Sequence, residues 1–167
     1  MRYFPYENFY IISKLKPNEV QEKLQEVVSP DSGFIFSLRG YNTAGPNTPF
    51  KGYALNGAFE FKPAIIYRNA FLPQIKGSTE AYLDGSRVHV KMTLYIFVMI
   101  FMSIWLVGAG LVCLAFVPKF INNKHTETDI IPYCMFLFGY LLVTYGFKSE
   151  SLSSKSFLVE LLDGKIE

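Results

Sequence analysis

The sequence predicts an α+β membrane protein: an antiparallel β-rich domain with a packing helix, a two-helix transmembrane hairpin, and a short C-terminal amphipathic helix. Three observations carry that prediction. Two long segments hold no charged side chain. Turn dipeptides punctuate alternating apolar and polar runs between residues 50 and 94. One stretch after Pro17 has apolar residues at helical spacing.

Of 167 residues, 50% are apolar, 17% aromatic and only 18% charged, with a mean hydropathy of +0.21. A soluble domain carries about 25% charged residues, so the shortfall has a location. A net charge of +2 is too near balance for electrostatic binding of a nucleic-acid polymer. The aromatic and aliphatic content, without any block of like charge, excludes a disordered chain.

In chain order, Asn8 to Lys14 reads as a strand rich in aromatic and β-branched residues. Pro17 then opens a helix at its first turn, with Val20, Leu24, Val27 and Val28 on the apolar side and Glu19, Glu22, Lys23 and Glu26 on the wet side. Pro30 and Gly33 end it. Phe34 to Arg39 is a further strand candidate, followed by a loop with Gly40, Gly45, Pro46 and Pro49. Phe50 to Leu55, Asn56-Gly57 and Ala58 to Lys62 form a hairpin on a type I′ turn, because Asn-Gly accepts the positive φ angles required. That pairing places Phe50, Ala54, Phe59 and Phe61 on one face. Ala64 to Asn69 is read as a strand. Gln74 to Leu83 and Ser86 to Leu94 make a longer hairpin on Asp84-Gly85. In this register Leu83 faces Ser86, Tyr82 faces Arg87, Ala81 faces Val88, Glu80 faces His89 and Thr79 faces Val90. Ile75, Gly77, Thr79, Ala81, Val88, Val90, Met92 and Leu94 share the core face.

The domain organisation follows: a β-rich domain over 1–91, spans over 92–118 and 130–147, a polar connector over 119–129, and a tail helix over 148–167 that returns to the sheet. Met92 to Pro118 and Ile130 to Phe147 are the uncharged segments, 27 and 18 residues long. As helices they reach about 40 and 27 Å, against a hydrocarbon core of about 30 Å. The last strand enters the first span without a linker. Ser149, Ser151, Ser153 and Ser154 read as caps of the tail helix, with Phe157, Leu158, Leu161 and Leu162 as its stripe and Gly164 as its end. Both flanks lie on one side of the bilayer. Arg87, Lys91, Lys148 and Lys155 on the flanks, against Lys119 and Lys124 in the connector, put that side in the cytoplasm of a bacterial inner membrane. Met1 to Ile12, broken by Pro5, Glu7 and Asn8, does not read as a cleaved signal peptide. Cys113 and Cys134 lie within the spans and read as packing residues, not as metal ligands or a disulfide framework.

Candidate site residues are few. No phosphate loop, metal motif or nucleophile elbow occurs, and no cofactor is implied. Tyr67, Arg68 and Asn69 stand before a Pro-ended turn. A guanidinium there can hold phosphate or carboxylate bidentately, with the amide and phenol beside it, and pairing of Arg68 with Glu60 or Glu80 is the structural alternative. Glu80 facing His89 is the one acid–base pair, and a cross-strand ion pair is its plainer reading. His125 sits in the connector, exposed. Tyr53, Phe59, Phe61 and Tyr67 line either a ligand cavity or the core. The spans carry no side chain that ionises near neutral pH, which argues against a monomeric transporter. Gly108, Ala109 and Gly110 permit close helix approach and hence a homo-oligomer.

The strand–helix–strands–helix order resembles a START-type helix-on-sheet domain with a transmembrane hairpin inserted before the last helix. A β-rich domain with two spans is also similar to the two-span β-barrel effectors of bacterial antiphage defence, in which the spans come first, so no residue is carried over. The expected function is a non-enzymatic membrane protein. Its cytoplasmic domain binds a small ligand or protein partner and is coupled to the hairpin. The alternatives are a nucleotide-sensing, membrane-perturbing effector and a lipid-handling protein.

Overall fold

The computed structural model describes residues 5–29, 48–65, 69–122 and 126–167. The strand expected over Phe34 to Arg39, the loop from Gly40 to Pro46, and Tyr67, Arg68 and His125 lie outside them. The described residues form an α+β fold with one mixed sheet and three α-helices. In order these are β1 (Tyr6–Ser13), α1 (Pro17–Val27), β2 (Val28–Ser29), β3 (Phe50–Leu55), β4 (Ala58–Pro63), β5 (Pro73–Tyr82), β6 (Gly85–Leu94), α2 (Ile96–Ile121), a 3-10 turn (Glu127–Ile130), α3 (Ile131–Leu161) and β7 (Gly164–Ile166). The sheet runs β2-β3-β4-β5-β6-β1-β7.

Alternation sorts the strands into two faces. Phe9, Ile11, Phe50, Ala54, Phe59, Phe61, Ile75, Val88, Val90, Met92 and Leu94 are buried on the inner one, under α1 and the C-terminal half of α3. From α1 come Val20 and Leu24, at the expected spacing. From α3 come Val143, Phe147 and Leu158, with the small Ser151 and Ser154 in the same stripe and Leu162 just past its end.

The β3–β4 hairpin has the expected register, with Leu55 opposite Ala58 and positive φ at Asn56 and Gly57. Four expectations are corrected. The sheet is mixed, because Val28 and Ser29 leave α1 extended and pair in parallel with Phe50 and Lys51. Ala64 and Ile65 are not in a strand; the Ala64 amide closes the ladder on the Pro49 carbonyl at 2.8 Å. The β5–β6 turn is Leu83-Asp84, so Tyr82 faces Gly85, Glu80 faces Arg87 and Ser78 faces His89. The reason is Gly85: a Cβ there would overlap the Ser13 carbonyl, so the close approach of β1 takes this glycine out of the turn. A slip of two preserves the faces, and the predicted inner set stands. Finally, the tail helix is not separate. Residues 148–161 continue α3 without a break, and the serines read as caps lie inside it. Ser151 Oγ meets Met92 Sδ at 3.4 Å, where a larger side chain would hold helix and sheet apart.

Both α2 and α3 are long and apolar enough to cross a membrane. They pack as a hairpin. Gly139 admits the Trp105 ring, the Tyr133 hydroxyl donates to the Cys113 carbonyl at 2.8 Å, and Gly110 lies against Phe136. Asp129 locks the turn between them, accepting from the Thr126 amide (2.8 Å) and hydroxyl (3.0 Å) and from Lys119 Nζ (3.2 Å).

Candidate functional site

Two places concentrate polar chemistry: the outer face of the sheet over β5, β6 and β1, and the junction of sheet and hairpin. No described helix packs on the outer face. It presents Tyr6, Asn8 and Tyr10 from β1, Arg87, His89 and Lys91 from β6, and Lys76, Ser78 and Glu80 from β5.

His89 stands opposite Tyr10 and stacks on it at 4.7 Å, with its Nε2 2.6 Å from Asn8 Oδ1. Donation from Nε2 to that oxygen leaves the Asn8 amide nitrogen to donate elsewhere. On the other side of Tyr10 the Arg87 guanidinium lies 4.0 Å from the ring centroid. It also reaches the Tyr82 ring at 5.6 Å and donates to Glu167 at 2.7 Å. The result is a column of π and cation groups along β1 and β6, each rung fixed by its neighbours.

Glu80 and His89 belong to different rungs, and no hydrogen bond or ion pair among the described residues joins them. Asn69 is elsewhere. Its Oδ1 accepts from the Phe71 amide at 2.9 Å and its Nδ2 donates to Glu150 at 3.4 Å, which ties the β4–β5 connection to α3. Glu80 lies seven residues beyond Pro73 along β5, about 24 Å at strand rise. Asn69 is therefore far from Glu80 along the sheet, while Tyr67 and Arg68 lie outside the described residues. Of the aromatic residues considered for a cavity, Phe59 and Phe61 stack on each other at 5.2 Å within the core, and Tyr53 stands exposed on the outer face.

Sequence reasoning missed the junction. Glu7 is on the inner face, where Lys148 and Lys155 of α3 both reach its carboxylate, Lys155 at 3.6 Å. Burial raises the Glu7 carboxyl, but hydrogen bonding and attraction from Lys148, with support from Lys155, overcome it. The net pKa lies below the ordinary value of 4.5. At the opposite end of the sheet, Ser13 Oγ and Lys23 Nζ donate to the Leu162 and Leu161 carbonyls at 2.6 and 3.0 Å, which satisfies the C-terminus of α3. An i, i+7 pair of lysines on one helix was the available signal for the first contact. Their acidic partner, 141 residues away from Lys148, was not visible.

No protein-family model matches the chain, and neither a curated protein nor a solved structure matches it. The class rests on fold and site alone: a mixed sheet with the described helices packed on one face, joined through a single residue to an apolar helical hairpin.

Proposed function

We propose that the chain is an integral membrane protein of the inner membrane whose α2–α3 hairpin crosses the bilayer. Its sheet domain binds a ligand or protein partner on the cytoplasmic side and passes that event to the hairpin, without catalysing a reaction. The observation that carries this is the exposure of the hairpin. Phe97, Ile100, Phe101, Ile104, Leu111 and Leu114 on α2, and Leu137, Phe138 and Leu141 on α3, are half or more exposed among the described residues. Only 6% and 17% of the two most apolar windows are buried, whereas a core helix of a soluble protein is mostly covered. Water would leave that surface unsatisfied, and lipid suits it. The flank lysines and arginine against the connector lysines support the cytoplasmic side.

Coupling is supported at two points. Tyr95 alone separates β6 from α2, and α3 runs unbroken from the hairpin onto the sheet. Carbonate extraction tests the membrane reading: the chain stays with the membrane pellet and leaves it only in detergent. Orientation is tested with Leu83→Cys in a chain whose own cysteines are Ser, where an impermeant maleimide labels it only after permeabilisation. Release by carbonate alone would overturn the membrane reading, and labelling in intact cells would reverse the orientation.

A further inference from the structure

One rung of the outer face has a composition that the fold itself does not require. Glu60 of β4 is directly opposite Lys76 of β5, Lys76 opposite Lys91 of β6, and Lys91 opposite Asn8 of β1. Adjacent strands lie about 4.8 Å apart, so the backbone positions of two lysines and an asparagine stand side by side across three strands. Like charges directly opposite destabilise a sheet. Glu60 neutralises Lys76 from the far side, at 2.8 Å. Lys91 meets no carboxylate among the described residues, and its ammonium lies 5.6 Å from the Tyr6 ring centroid. His89 holds Asn8 by its oxygen, so the Asn8 Nδ2 hydrogens are available beside Lys91. The next rung toward the hairpin, Gln74, Thr93 and Tyr6, adds only uncharged polar groups.

We propose that this row is a phosphate-binding site, with Lys91 and Lys76 supplying charge and the Asn8 amide a fixed donor. The ligand is a phosphate ester carried either by a membrane lipid headgroup or by a soluble molecule. A tetrahedral oxyanion spans two donors at strand spacing and relieves the repulsion between the lysines. Lys91 stands five residues before Ile96, about 17 Å along the strand from the start of α2, so the row is on the hairpin-proximal part of β6. The proposal names the ligand of the domain whose membrane attachment is proposed above, and it rests on that reading only for the lipid source.

Two arms test it on the full chain. In nanodiscs of equal phosphatidylglycerol and phosphatidylcholine, native mass spectrometry of the wild type retains the anionic lipid preferentially. In detergent, calorimetry with inorganic pyrophosphate gives saturable binding. Lys91→Gln and Lys76→Gln reduce the responding arm at least fivefold. Lys165→Gln, on the same face but off the row, leaves it unchanged. Circular dichroism of each variant excludes unfolding as the cause. A response confined to one arm identifies the source. No response in either arm, or an equal loss in Lys165→Gln, overturns the site. A chain that carbonate releases yet that still binds pyrophosphate through Lys91 keeps the site and removes the membrane reading.

Discussion

The two halves of α3 share one continuous backbone and differ in what surrounds them. Residues 131–147 expose Leu137, Phe138 and Leu141 on several sides. Residues 148–161 bury a stripe of Leu158 with Ser151 and Ser154 and carry lysine and glutamate elsewhere, with Leu152 as the one large apolar group left exposed. An apolar stripe identifies a helix that lies on protein, while an apolar circumference identifies one that protein does not cover. The change falls at Phe147 and Lys148, the level at which Glu7 takes hold of the helix. Environment, not helix propensity, separates the halves, and each can be probed by a substitution that the other would tolerate.

The largest effect is expected where the halves meet. Phe147 is fully buried between α3 and the sheet, and Phe147→Ala should cost about 3–5 kcal/mol of stability in mild detergent, measured by chemical unfolding. A loss below 1 kcal/mol would mean that the junction is loosely packed and the two regions are not rigidly joined. Next is Leu137→Arg, in the exposed half. In a bilayer an arginine near the middle of a helix costs roughly 2.5–3.5 kcal/mol, so the membrane-integrated fraction should fall. In water the same exposed site would accept it with little change. Unchanged insertion therefore argues against a lipid environment for this half.

Glu7 tests the sheet side of the boundary. Glu7→Gln leaves Lys148 and Lys155 without their carboxylate and should cost roughly 1.5–3 kcal/mol. Its pH dependence has a defined sign. The folded carboxyl has a pKa below 4.5, so it binds fewer protons folded than unfolded near that pH. Its contribution is present in full above 4.5 and is lost as pH falls through the lower folded value. The wild type should lose stability faster than Glu7→Gln as pH drops below 4.5. Parallel curves for the two proteins would mean that the lysines do not act through Glu7.

What was legible in the sequence follows the range of the forces involved. The two apolar helices were visible because segments free of charge are a local property. The β3–β4 hairpin was visible because Asn56-Gly57 meets its turn requirement within four residues. The serines of α3 misled because small polar side chains serve equally as caps and as contact points. Only the crossing over Met92 decides between these uses. Short β2 and β7, of two and three residues, are strands because a neighbour pairs with them, not because of their own composition. For the site, Lys91 was placed on the polar face, but the Lys76–Lys91–Asn8 row required both the corrected β5–β6 register and the alignment of β1 against β6. Glu80 and His89 were paired only because the turn was set two residues off in register.

That slip leads to the smallest prediction, in the part of the sheet farthest along β5 and β6 from the hairpin. Leu83 is 87% exposed and has φ of +50°, a backbone region that suits glycine. The strain arises from competition for the adjacent glycine. Asp84-Gly85 would make an unstrained turn, but β1 needs Gly85 for its close approach. The turn therefore moves back by one residue onto a leucine. Left-handed geometry costs an ordinary residue about 1–2 kcal/mol, and glycine returns part of that through its larger unfolded-state entropy. Leu83→Gly should thus raise stability by about 0.5–1 kcal/mol, read as a higher denaturant midpoint at unchanged slope. Gly85→Ala should do the opposite by a larger margin, since it forces β1 away from β6. If Leu83→Gly destabilises and Gly85→Ala is neutral, the turn sits on Asp84-Gly85 and the row through Lys76 and Lys91 is out of register as well.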